Sequence, residues 1–260
     1  MTPSLLGQPT SYPTVYDPKL LEGIERRLAR QSLALPAGMT GFDRWMCYEL
    51  SWLSDQNHPQ CAVLCMDVPE RTPCIVESKS LKLYLNSLYR SHFSDQEEVL
   101  ACIGKDMTPI LGSPPLLRLI APELWSVQLI PEEPLGLCLD SSEQVGRCSL
   151  SEDGQTHRVW TDQFRSLCPV TGQPDWATLE VVWQGNPVDL NRLRSFIWSF
   201  REHAGFHEQC VEAIFAHLLN EMAPETLMVR ASFTRRGGID ISPCRAFGCD
   251  AEPAPRRFRQ

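Results

Sequence analysis

Leu227-Met228-Val229-Arg230-Ala231-Ser232-Phe233-Thr234-Arg235-Arg236-Gly237-Gly238-Ile239-Asp240-Ile241 reads as a strand, a turn and a returning strand. Leu227, Val229, Ala231 and Phe233 alternate along the first arm, the two-residue period of a pleated strand. Arg236-Gly237-Gly238 then turns the chain back into Ile239–Ile241. A hairpin pairs its arms antiparallel, so the sheet at this end of the chain is antiparallel.

Upstream, His207 to Met222 places Val211, Ile214, Phe215, Leu218 and Leu219 on one helical face. His207 falls in line with Val211 and Ile214, which predicts that it points inward. Asp189 is suited to cap a preceding helix that bears Leu190, Leu193, Ile197 and Phe200 and that Gly205 is expected to end. Before it, Leu179–Gln184 is strand-like and Gly185-Asn186-Pro187 is a turn.

The first half shows the same order. Met46, Tyr48, Leu50 and Trp52 alternate in Trp45–Leu53, and Cys61–Val68 and Cys74–Val76 are short strands. Ser78, as a cap, opens a helix to Arg90 with Leu81, Tyr84, Leu85 and Leu88 at helical spacing. Ser94-Asp95-Gln96-Glu97 has capping-box spacing and predicts a second helix from Ser94 through Val99, Leu100 and Ile103. Leu116–Ile120 returns to strand. The fold class is α+β, with two tandem ββααββ-like modules that each lay paired helices on an antiparallel sheet. The expected boundaries are an N-terminal arm over 1–40 with a helical piece around Leu20–Ala29, a first module over 41–122, a Pro-, Ser- and Glu-rich connector over 123–165 that carries no chemistry, and a second module over 166–260.

Two hundred and sixty residues suffice for one large domain or two small ones. A net charge of −8 argues against a general nucleic-acid binder. No apolar run approaches membrane-spanning length and the first residues lack a signal peptide's pattern, so a soluble cytoplasmic protein is expected. Eleven scattered cysteines, an odd count without a Cys-x-x-Cys pair, predict neither a disulfide framework nor a metal site. Mostly structural thiols in a reducing compartment follow.

One cysteine has a reactive setting. In Ser166-Leu167-Cys168-Pro169-Val170-Thr171-Gly172-Gln173-Pro174-Asp175-Trp176, Pro169, Gly172 and Pro174 keep the segment out of helix or inner strand. Cys168 is a nucleophile once deprotonated, and Asp175 is near enough in sequence to exchange protons at the same centre. On the residues alone, a structural cysteine beside a turn aspartate fits as well. Likewise His207 could be a core histidine, Glu208 a first-turn carboxylate, and Arg235-Arg236-Gly237-Gly238 an ordinary turn with solvated arginines. No Gly-x-Gly-x-x-Gly follows a strand, so a Rossmann cofactor site is excluded.

Cys168-Pro169-Val170-Thr171-Gly172-Gln173-Pro174-Asp175 closely resembles the nucleophile loop of the QueF family, the NADPH-dependent nitrile reductases that act on 7-cyano-7-deazaguanine. Glu77-Ser78-Lys79-Ser80-Leu81-Lys82-Leu83-Tyr84 is similar to that family's other signature, and Phe206-His207-Glu208-Gln209-Cys210 and Arg235-Arg236-Gly237-Gly238 match in the expected order. The resemblance runs from about residue 45 to the end. It implies a tunnelling fold (T-fold) of two tandem modules, a homodimer, and NADPH as cofactor. It also implies conversion of the nitrile to the 7-aminomethyl compound through a covalent thioimide, with two NADPH consumed, in queuosine (tRNA modification) synthesis. The substrate is the free base, so no direct nucleic-acid contact is implied.

By the same resemblance Cys168 is the nucleophile and Asp175 the proton donor, whose surroundings are expected to favour the neutral acid. Val76, Glu77, Ser78, His207 and Glu208 are expected against the substrate, with Glu208 accepting from the guanine-like N1–H and 2-amino group. Ser78, Lys79, Arg236 and Gly237 are expected against NADPH, with Lys82 a weaker candidate. A site needing both the Glu77 block and Cys168 must straddle a module interface, within or between chains. Two other readings are compatible with the residues: a thiol hydrolase that adds Cys168 to a nitrile or amide and lets water finish, and a non-catalytic purine-binding module that keeps Glu208 but has no need of Cys168.

Overall fold

The computed structural model describes residues 12–121, 136–140, 156–254, 256 and 259–260. The chain forms two compact units. One draws on Met1–Leu28, Arg44–Gln128 and Arg235–Asp240, the other on Ala29–Asp43, Leu129–Thr234 and Ile241–Gln260.

In the first unit, β1 (Gly23–Glu25) pairs antiparallel with β4 (Cys74–Val76). The strands β2 (Thr40–Leu53, in this unit from Arg44), β3 (Pro59–Pro69) and β5 (Leu116–Ile120) lie in the order β5-β3-β2. Two helices separate β4 from β5 in sequence. In α2 (Ser78–Ser87), Leu81, Tyr84 and Leu85 are buried. In α3 (Gln96–Leu111), Val99, Ile103, Met107 and Leu111 are buried at four-residue spacing.

Several local expectations shift. The helical piece near Leu20–Ala29 is instead a 3-10 turn at Pro18–Leu20, then β1 and a short helix α1 (Arg26–Arg30). β1 forms because β4 offers it an edge to pair with, a tertiary effect that outweighs local helix propensity. The cap of α3 is Asp95, not Ser94: Asp95 Oδ1 accepts from the Glu98 N–H at 2.9 Å, and Glu98 Oε2 accepts from the Ser94 N–H at 2.8 Å. The box is present, one residue further on.

In the second unit, β6 (Leu137–Cys138), β7 (Thr156–Leu167), β8 (Pro174–Gln184), β9 (Thr226–Phe233) and β10 (Ile239–Phe247, in this unit from Ile241) lie in the order β10-β9-β8-β7-β6. Neighbouring strands in this order are antiparallel except β6, whose two residues pair parallel to β7. Ala177, Leu179, Val181 and Trp183 of β8 and Leu227, Val229, Ala231 and Phe233 of β9 form one apolar face. Against it pack Leu190, Leu193 and Ile197 of α4 (Leu190–Trp198) and Val211, Ile214, Phe215 and Leu218 of α5 (His207–Met222). Asp189 caps α4, accepting from the Asn191 and Arg192 N–H groups. Gly205 does not end that helix, which passes through a 3-10 turn at Ser199–Glu202 before the chain leaves it.

The strand β7 replaces the tail of the expected connector. Its inward positions include His157, Thr161 and Ser166, polar residues that blur the alternation of a half-buried strand. His157 stacks on Trp183 at 4.8 Å and hydrogen-bonds the Gly185 carbonyl, which makes that inward position tolerable. The rest of the connector, 122–135 and 141–155, lies outside the described residues.

Ion pairs hold the second unit at two buried places. Arg245 donates to Glu212 Oε1 at 2.7 Å and to Asp43 Oδ1 at 2.7 Å, and Arg30 adds a two-pronged contact to Glu212 at 2.6 and 2.9 Å. Burial alone would lower the Arg245 pKa, but Asp43 and Glu212 more than reverse it and the guanidinium stays charged. Across the β8–β9 ladder, Arg230 reaches its register partner Glu180 at 2.8 Å.

Candidate active site

Cys168 sits at the tip of the β7–β8 hairpin. Its N–H donates to the Gln173 carbonyl at 2.9 Å, and its carbonyl accepts from Gly172 N–H at 3.0 Å. Gly172 adopts φ +68, the left-handed conformation that closes such a tip at little cost to glycine. Asp175 is the second residue of β8 rather than part of the loop, because Pro174 opens the strand, where a missing N–H is tolerated. It is the register partner of Ser166, so the two side chains share a face.

The tip alters the thiol. Burial by itself would raise the Cys168 pKa, but the nearby Thr171 hydroxyl and the backbone N–H groups of Thr171 and Val170 act the other way and outweigh it. Asp175 opposes them by its charge, and the net direction is down. Among the described cysteines with a shifted thiol, Cys168 alone moves that way; burial pushes Cys210 and Cys244 up to about 12 and raises Cys47, Cys65, Cys74, Cys102 and Cys249.

The helix α5 brings up the remaining groups. His207 Nε2 lies 3.5 Å from Asp175 Oδ2, and its ring packs on Phe233 at 3.9 Å. The helix start is fixed by Gln209, whose side-chain oxygen accepts from the Phe206 N–H at 3.1 Å. Helical counting favoured His207 as the inward residue, yet Glu208 is the more buried of the two, at 3% exposure. It shares its stripe with Glu212 and Phe215, because α5 is buried over more than its apolar face. Cys168, Asp175, His207 and Glu208 thus all belong to the second unit.

The other expected residues belong to the first unit. Val76 ends β4 and is buried. Glu77, not Ser78, caps α2: its carboxylate accepts from the Lys79 N–H at 2.9 Å and the Ser80 N–H at 2.7 Å. Ser78 and Lys79 are therefore the first two helical residues, and the Lys79 and Ser80 N–H groups are already satisfied. Arg236-Gly237-Gly238-Ile239 is a tight turn with φ +58 and +79 at the glycines, as a two-residue hairpin of primed type requires. Lys82 Nζ stands 2.7 Å from where a Cβ on Gly237 would lie, so α2 and this turn meet. Arg235 stacks on the Tyr48 ring at 4.8 Å. Two participants went unassigned from sequence: Thr171, whose place beside Cys168 in the loop was a usable signal, and Phe233, whose packing on His207 depends on strand and helix meeting in space.

A family model described as the N-terminal part of a nitrile reductase, 7-cyano-7-deazaguanine reductase, matches residues 12–115, and one described as QueF-like protein matches residues 174–250. An NADPH-dependent 7-cyano-7-deazaguanine reductase of Psychrobacter cryohalolentis is 41% identical over 277 residues, covering 98% of this chain and 97% of its own. Proteins of that name from Acinetobacter baylyi and Acinetobacter baumannii are 38% and 39% identical, with 98% of this chain and 97% of theirs covered. Likeness of that degree across nearly the whole of each sequence, running through both the Glu77 block and the Cys168 hairpin, means that this chain belongs to the QueF family of nitrile reductases.

Proposed function

We propose that this chain reduces the nitrile of 7-cyano-7-deazaguanine to the 7-aminomethyl group with NADPH, using Cys168 as a covalent nucleophile. The observation that carries this reading is the thiol of Cys168, its pKa held below the ordinary thiol value, at a clamped hairpin tip with Asp175 on the strand that follows. Thiolate attack forms a C–S bond to the nitrile carbon, and the displaced π pair goes to nitrogen, which takes a proton from Asp175 to give a thioimide. NADPH supplies a hydride to carbon at each of two stages. Between them the C–S bond breaks, its pair returns to sulfur, and an imine remains. Over the cycle one nitrile, two NADPH and two protons become one primary amine and two NADP+. His207 restores the proton of Asp175, and Glu208 anchors the N1–H and 2-amino edge of the base.

On the cofactor side the donor set is cationic: Lys82 at the Gly237 turn, Arg236 within that turn and Lys79 one helical turn before Lys82 suit the phosphates of a dinucleotide. With the Lys79 and Ser80 N–H groups held by Glu77, the side chains rather than the helix start would hold them. Val76, Glu77 and Ser78 are proposed as further substrate contacts. The order of strands and paired helices in each unit supports two tandem T-fold modules, and the family resemblance supports a homodimer and a place in queuosine synthesis.

The test is NADPH oxidation with 7-cyano-7-deazaguanine, beside Cys168→Ala and an intact-protein mass spectrum taken without cofactor. Two NADPH oxidised per nitrile, with an adduct lost in Cys168→Ala, is the expected result. An adduct without NADPH use would instead indicate a thiol hydrolase, and binding without adduct or turnover a non-catalytic module. Light scattering should give twice the chain mass for the dimer.

A further inference from the structure

We propose that Arg235 binds the 2′-phosphate of NADPH and so lets this chain tell NADPH from NADH. The proposal rests on NADPH being the cofactor and on the Gly237 turn being its site, as read above. Arg235 leads into that turn, and its guanidinium lies over the Tyr48 ring, 4.8 Å from the centroid. The ring is itself held. The Tyr48 hydroxyl donates to Asp240, which is buried, and the Tyr48 N–H donates to the Gly238 carbonyl at 2.9 Å. A guanidinium that rests on an aromatic face is ordered there without spending its N–H groups. Arg235 is exposed, and no carboxylate or carbonyl among the described residues takes up those N–H groups.

NADPH and NADH differ by one group, a phosphate monoester on the adenosine ribose with a charge of about −1.5 to −2 at neutral pH. Its terminal oxygens match the guanidinium fork, which can give them two parallel hydrogen bonds. The pyrophosphate, which both dinucleotides share, suits Lys82 better. Its Nζ stands 2.7 Å from where a Cβ on Gly237 would lie, and an ammonium on a flexible stem acts as a point charge. Two carboxylates lie at the turn, Glu49 against Gly238 and Asp240 bonded to Tyr48. Arg235, Arg236 and Lys82 outnumber them, so positive charge is left over for a phosphate.

The experiment measures Kd for NADPH and for NADH by titration calorimetry at one fixed ionic strength, with the full chain and no nitrile present. The unsubstituted chain should prefer NADPH. Arg235→Gln should weaken NADPH binding about tenfold or more, the size of a charge-assisted contact, and leave NADH within about twofold. Arg235→Lys keeps the charge without the fork and should fall between the two. Equal weakening of both dinucleotides would put Arg235 on the shared pyrophosphate and overturn the proposal, as would an Arg235→Gln protein that binds NADPH as before. Arg235 is exposed, so melting curves should match and rule out lost fold as the cause; if Arg235→Gln melts early, Arg235→Ala gives the same comparison. Failure of the cofactor reading has a different signature: the unsubstituted chain would bind neither dinucleotide, and this proposal would fall with it.

Discussion

His207 Nε2 and Asp175 Oδ2 stand 3.5 Å apart, one at the first residue of α5 and the other at the second residue of β8. That length is too great for a good hydrogen bond. Catalytic hydrogen bonds are often long before substrate tightens them. Phe233 backs the imidazole at 3.9 Å and restricts it to small movements toward the carboxylate.

Asp175→Asn keeps the shape of this contact and removes the proton that the nitrile nitrogen needs. NADPH oxidation should fall by about a hundredfold or more, with the melting temperature nearly unchanged. His207→Ala should slow turnover less, because Asp175 still delivers one proton. Steady-state rates with matched melting curves check both.

The buried thiols set the alkaline limit of the second unit. Burial raises Cys210 from the ordinary thiol value of 9.0 to about 12, with Asp175 and Glu208 adding to the rise and Ser166 acting against it. The folded state holds this proton more tightly than the unfolded chain, so the contribution is full below pH 9.0 and is lost as pH rises through about 12. Urea midpoints measured across that window should fall less steeply for Cys210→Ala than for the unsubstituted protein. Cys244, likewise raised to about 12, keeps part of the slope in both.

The acid limit runs through Glu212. Burial alone would raise its pKa, but the Arg30 hydrogen bond and the charges of Arg245 and Arg30 hold it below the ordinary carboxylate range, with Asp43 opposing. This contribution is present above the ordinary carboxylate value and fades as pH falls through the depressed one. Arg245→Ala strands Asp43 and Glu212 in the interior and should cost about 3–5 kcal/mol. It should also weaken the acid dependence, which urea melts at neutral and acid pH would show.

Gly237 and Gly238 separate cofactor binding from stability. A Cβ on Gly237 would meet the end of Lys82 at 2.7 Å, and one on Gly238 would press more deeply on Glu49, from its carboxyl at 2.4 Å to its Cγ at 2.8 Å. Both also adopt positive φ, which costs a substituted residue about 1–2 kcal/mol. Gly237→Ala should raise the KM for NADPH with a small drop in melting temperature. Gly238→Ala should lower the melting temperature more.

The sequence carried most elements because their signals are local. The alternation of Leu227 to Phe233, the Asp189 cap and the stripe from Val211 to Leu218 all correspond to observed elements. It failed where the deciding contact is distant. β7 has polar inward residues that only Trp183 and the Gly185 carbonyl accommodate, and β1 exists because β4 is there to pair with. At the site, the closeness of Cys168 and Asp175 was legible because they lie on one short stretch, while the roles proposed for them came from the family resemblance. The burial of Glu208 and the aromatic backing of His207 were not, because helical periodicity ranks residues by their own apolar neighbours and α5 is covered on more than one side.

The Arg245 cluster bears on how this protein can be divided. Its members come from both sides of the first unit's main segment: Arg30 and Asp43 precede Arg44–Gln128 in sequence, while Glu212 and Arg245 follow it. A fragment starting at residue 129 would retain the Cys168 hairpin and α5 but leave behind two of the four charges that neutralise one another there. Such a truncation should be insoluble or partly unfolded, whereas one that splices 29–43 back onto it should regain its solubility. The half bearing Cys168 is therefore not an autonomous cassette, and a single cut or simple swap of chain halves would not transplant it.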